Sequence, residues 1–152
     1  MIITDNIQII ERPTPLESEL GRNQTVDVFM LNYQIKVKHL IDTISADIHY
    51  NKRAIAGIDL IVDKNAAVIE NPMVFCRPRT KLEQEEDFIS TICMLEKALD
   101  RYGFEYLELD CITTEYPNYI KEMGFNQEQI SLSKRLSDPI IYPNSLFALN
   151  LL

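Results

Sequence analysis

A chain of 152 residues, 46% apolar and 25% charged, suits one globular domain with a real core. Its net charge of −8 and pI near 4.7 argue against wrapping a nucleic-acid backbone, whose phosphates such a surface repels. No apolar run approaches the roughly 18 residues that span a bilayer, and the opening "MIITDNIQIIERP" turns polar too early for a signal peptide. No nucleic-acid or membrane partner is expected, and the location expected is cytoplasmic.

The three cysteines, Cys76, Cys93 and Cys111, form no CxxC pair and read as free thiols in a reducing compartment. The two histidines, His39 and His49, stand ten residues apart with no cysteine near either, which is no metal signature.

In chain order, residues 2–10 read as a first strand, and the proline-broken stretch after it as a loop with room for a short helix. From 26 to 48 the apolar residues Val26, Phe29, Met30, Tyr33, Val37, Leu40, Ile41 and Ile44 recur at three and four, which predicts a helix. "AIAGIDLIVD", the turn Lys64-Asn65 and "AAVIENPMVFC" predict a hairpin of two strands. Pro72 cannot donate to a ladder, so it marks an edge or a bulge.

Thr80 to Glu83, T-K-L-E, is a capping-box pattern opening a long helix that Gly103 closes. "FEYLELDCI" alternates as a strand, "YPNYIKEM" is a short helix stopped by Gly124, and "QISLSKRL" is a last strand. The sum is an α/β (α+β) single domain with a mixed central sheet flanked by helices. Residues 1–136 form that domain. Residues 137–152 are an apolar, proline-punctuated extension packed on the body or on a partner, with 139–152 the expected contact surface for a protein partner or a second copy.

The order of elements and the phrases "ALDRYGFEYLELD", "YIKEMGF" and "QISLSKRL" resemble the GCN5-related N-acetyltransferase (GNAT) superfamily over roughly residues 54–136. Gly103, Leu107 and Leu109 match its helix-glycine-strand segment, and Lys121 to Phe125 match its "EKLGF" phrase. The resemblance implies acetyl-CoA as cofactor. Its pantetheine arm would lie on the backbone of a bulged strand, here Val74, Phe75 and Cys76, and its diphosphate at a loop-to-helix junction, here residues 77–86 with Arg77, Arg79 and Lys81. For catalysis the resemblance offers Glu70 as base and Tyr119 or Tyr116 as acid, with an amine attacking the thioester carbonyl.

The junction departs from the family pattern. "RPRTKLEQEED" contains no glycine, and Glu83, Glu85, Glu86 and Asp87 stand where free N–H groups and a helix dipole would receive phosphate. The position of the family's frequent tyrosine is Ile120, and Tyr119, one step off, points about 100° away on a helix. Two functions are therefore expected. One is a divergent GNAT-like protein with a degenerate acetyl-CoA site and no cofactor, serving as a binding or structural part, a reuse open to phage and bacterial proteins. The alternative is an acetyl-CoA-dependent N-acetyltransferase acting on an amine.

Overall fold

The computed structural model describes residues 6–11, 24–110, 116–128 and 131–146. They form one mixed sheet with helices packed on it. Strands β1 (Gln8–Glu11), β2 (Gln24–Met30), β3 (Tyr33–His39), β4 (Thr43–Tyr50), β5 (Arg53–Asp63) and β6 (Ala66–Ile69) make an antiparallel meander. After β7 (Val74–Phe75), helix α1 (Lys81–Arg101) crosses over to β8 (Tyr106–Asp110). Helix α2 (Pro117–Glu122), β9 (Asn126–Glu128) and β10 (Ser131–Arg135) follow. The sheet order is β1-β2-β3-β4-β5-β6-β8-β10-β9, with β7 paired to β5. The β6–β8 pair is parallel, as a helical crossover requires, and the other pairs are antiparallel.

The helix expected over 26–48 is instead three strands, β2, β3 and β4. Their buried residues alternate with period two within each strand: Val26, Val28, Met30; then Tyr33, Ile35, Val37; then Ile44, Ala46, Ile48. Short turns between strands shift the phase, so residues from neighbouring strands fall by accident at helical spacing. Two members of the apparent helical stripe do not belong to this face: Phe29 alternates out of it and Ile41 is 62% exposed. The β-branched run Ile35-x-Val37 and Ile44 favoured strand over helix from the start.

Helix α1 packs its apolar side against β2 and β3. It is buried well beyond a single stripe, with every residue from 87 to 96 out of solvent. The C-terminal segment helps to account for this. Ile140, Tyr142 and Leu146 are buried in the body, and the Cys93 thiol donates to the Ile141 carbonyl at 3.9 Å. Glu122, at the end of α2, accepts from the backbone N–H groups of Asn144 and Ser145 and from the Ser145 hydroxyl. The described part of the extension is thus fastened to its own domain. Residues 147–152, with Phe147, Leu149, Leu151 and Leu152, lie outside the described residues, as do Cys111 and most of the proline-rich loop.

One ion pair pins α1 to the sheet and to that segment. Lys134 on β10 faces the same side as its neighbours Leu107 and Leu109 on β8, and its ammonium meets the Glu96 carboxylate of α1 at 2.5 Å. Both side chains are 1% exposed. Lys134 also donates to the Pro139 carbonyl at 3.0 Å. Burial pushes the Glu96 carboxyl up to about 7, although the lysine pulls it the other way. Desolvation therefore outweighs the attraction, as is common for buried pairs. Among the described residues no helix is long and apolar enough to cross a membrane.

Candidate functional site

β5 is long enough to pair with both halves of an interrupted strand. Its far part pairs with β6 (Ile61↔Val68, Val62↔Ala67) and its near part with β7 (Gly57↔Val74, Ala56↔Phe75). Between these pairings β5 uses three residues, 58–60, where the facing chain uses five, 69–73, so two residues are extra. Pro72 lies in this bulge, where its missing N–H interrupts no ladder. The hairpin expected from the sequence is present, with its second strand split at the proline.

The bulge separates neighbours. β6 runs beside β8 as far as Ile69↔Leu109, whereas β7, among the described residues, pairs with β5 alone. The β7 and β8 ends therefore part, and the Val74 side chain is 71% exposed. Phe75 is half-buried. Cys76 is exposed, its N–H donating to the Ile55 carbonyl at 2.9 Å and its thiol to the Ala54 carbonyl at 3.5 Å.

The chain then reaches the helix junction. Arg77 donates from Nε to the Ala54 carbonyl at 2.8 Å. Arg79 turns inward and grips Asp87 with two bonds, Nε to Oδ2 and Nη2 to Oδ1, each 2.8 Å. Its guanidinium also lies 4.9 Å from the centre of the Tyr50 ring and 3.1 Å from Glu83. Asp87 has no solvent exposure and accepts a further bond, 2.5 Å long, from the Tyr33 hydroxyl. The bond to Asp87 raises the Arg79 guanidinium further above its ordinary value. Burial, then the Asp87 carboxylate, hold the Tyr33 phenol strongly protonated. Burial, then the Asp87 charge, also push the neighbouring Glu86 carboxyl up.

Thr80 caps α1 as its motif predicts. Its Oγ1 accepts from the Glu83 N–H at 3.1 Å, and its own N–H donates to the Glu83 carboxylate at 2.9 Å. These bonds hold the Glu83 carboxyl below its usual range, the backbone bond from Thr80 being the largest influence. Lys81 is exposed at the start of the helix. Thr80 and Glu83 thus spend two N–H groups of this helix start on the chain's own side chains.

The residues suggested for catalysis are spread out. Tyr116 precedes α2 in a left-handed conformation, φ 57°, which a non-glycine residue seldom adopts. Its ring centre lies 6.5 Å from that of Tyr119 and 6.0 Å from that of Phe88. Tyr116, Asn118, Tyr119 and Ser145 line a cavity of about 360 Å³. Burial, then Glu85, push the Tyr119 phenol up. Glu70 is exposed at the end of β6 and is not part of that lining. Ile120 is wholly buried. Among the described residues no group of three or more His, Cys, Asp or Glu side chains is placed to hold a metal ion.

Sequence reasoning found the arginines and the cap but missed Tyr33, Tyr50 and the burial of Asp87. One signal was present: an aspartate beside Phe88 and Ile89, on the helix's apolar side, asks for a buried partner.

No family profile matches the chain, and no curated protein matches it. Among solved structures it is similar to the PaiA N-acetyltransferase from Thermoplasma acidophilum in complex with coenzyme A. The likeness has a TM-score of 0.43 and 14% identity, and it spans 62% of this chain and 62% of that one.

Proposed function

We propose that this chain is a divergent GNAT-like protein whose diphosphate position is filled from within, and that it acts by binding or as a structural part rather than by acyl transfer. The observation that carries the reading is the Arg79–Asp87 fork. Arg79, one of the three cations that the resemblance brings to the diphosphate position, is already held by a fully buried carboxylate. Releasing it would leave Asp87 charged in the interior with no cation, held by the Tyr33 hydroxyl alone, a cost of several kcal/mol. The Thr80–Glu83 capping box and the absence of glycine from 77–87 support the same reading, since the cap takes two N–H groups that could meet phosphate and the side chains keep the backbone at a distance. Partner contact through 139–152 belongs to this proposal, although Ile140, Tyr142 and Leu146 of that segment are already buried in their own domain.

A second reading rests on the bulge at Pro72 and the parting of β7 from β8. These would leave the backbone of Val74, Phe75 and Cys76 for a pantetheine arm, with Tyr116 or Tyr119 as acid and Glu70 as base in N-acetyl transfer to an amine. Calorimetric titration with acetyl-CoA, together with thiol release in the presence of cationic amines, separates the two. The binding reading expects no saturable heat at millimolar acetyl-CoA and no thiol release. Saturable binding with turnover would replace it with the enzyme reading.

A further inference from the structure

A second cleft lies where α1 gives way to β8, at the opposite end of β8 from the parted strands. It has a volume of about 360 Å³ and is lined by Asp100, Phe104, Glu105, Tyr106, Arg135 and Ser137. That volume is of the size that takes a small molecule. The 21 residues of α1 rise about 30 Å, so the cleft lies a full helix length from the α1 start. It shares no lining residue with the cavity around Tyr116 and Tyr119.

Opposite charges line this cleft without meeting. Arg135 ends β10 opposite Tyr106, and its guanidinium lies 5.9 Å from the centre of that ring. Asp100 stands in the last turn of α1. Among the described residues neither Arg135 nor Asp100 forms an ion pair, although both face the one cleft. Glu105 between them is held from two sides. Its N–H donates to the Asn65 carbonyl and its carbonyl accepts from the Leu136 N–H, each at 2.8 Å. Its carboxylate accepts from the Asn65 amide at 2.9 Å. Phe104, almost buried, and the half-buried Tyr106 ring supply an apolar wall.

We propose that this cleft binds a free amino acid with an apolar side chain. Its carboxylate would meet Arg135, its ammonium Asp100 and Glu105, and its side chain Phe104 and Tyr106. A guanidinium takes a carboxylate through paired N–H bonds. A ligand with only a negative charge meets two carboxylates here, and one with only a positive charge leaves the arginine unanswered, so a molecule carrying both signs fits best. The distance from the α1 start makes the site independent of whether acetyl-CoA binds.

The test is calorimetric titration of the whole protein with L-phenylalanine, set beside phenethylamine and hydrocinnamate, each of which keeps one of its two charges. L-Phenylalanine should show one saturable site at millimolar concentration, and each analogue should bind about tenfold more weakly or worse. R135Q and D100N should each weaken L-phenylalanine by about tenfold. Both substitutions replace exposed side chains, so the variants should keep the wild-type fold. D47N, which removes an exposed carboxylate from β4, should leave binding unchanged. Absence of saturable L-phenylalanine binding to the wild type would overturn the proposal. So would phenethylamine binding as tightly as L-phenylalanine, which would mean attraction of a cation alone. Unchanged affinity in both R135Q and D100N, or an equal loss in D47N, would also overturn it.

Discussion

Replacing Asp87 with asparagine tests the polar cluster beneath the start of α1. The carboxylate accepts from Arg79 twice, at 2.8 Å each, and from Tyr33 at 2.5 Å, with no solvent exposure. Asparagine keeps the shape but removes the charge, and it turns an amino group toward donors. Breaking a buried charged pair from one side costs about 3–5 kcal/mol. For a domain of this size each kcal/mol moves the melting temperature by about 2–4 °C, so D87N should melt roughly 6–20 °C lower. Y33F removes one of the three bonds and should cost about 1–3 kcal/mol. The two sites share a partner network, so the double variant should lose clearly less than the sum of the singles. Urea denaturation followed by far-UV circular dichroism gives all three values. A D87N protein within 1 kcal/mol of wild type, or strict additivity with Y33F, would refute the account of the cluster.

Two further predictions concern the body of the fold. Glu96 has an ordinary carboxyl value of 4.5, raised to about 7 in the folded protein by burial. A raised folded value means its stabilising share is fully present below pH 4.5 and is lost as pH rises through 7, a total of about 3 kcal/mol. Urea midpoints measured from pH 4.5 to 8 should show this fall, and E96Q should flatten it; an identical slope in E96Q contradicts the assignment. Gly103 ends α1 with φ +92°, and a Cβ there meets no atom within 4 Å. G103A should therefore cost about 1–2 kcal/mol through backbone strain alone, read from the same denaturation curves; no loss would contradict a left-handed cap.

The second half of the chain was legible because its signals are local. The Thr80–Glu83 cap, Gly103, the alternation of Leu107 and Leu109, and Gly124 each act within a few residues and reappear in the structure as read. Residues 24–50 were misread because hairpin strands joined by short turns can imitate a helical period, and only their pairing with each other separates the two. The site divides along the same line. The glycine-free, acidic junction is plain in the sequence. What holds Arg79 is not, because Tyr33 lies 54 positions from Asp87 and Tyr50 comes from another strand. Burial of Asp87 depends on where α1 lands on the sheet, and that is a tertiary fact.

The most direct test of the central claim is an amide NMR titration of the ¹⁵N-labelled protein with coenzyme A. The account predicts that the N–H resonances of Thr80, Lys81 and Leu82 stay in place up to millimolar ligand, because the chain's own carboxylate already occupies the start of α1. A saturable shift of those three resonances, sharing one dissociation constant, would show a diphosphate docking there and would contradict it.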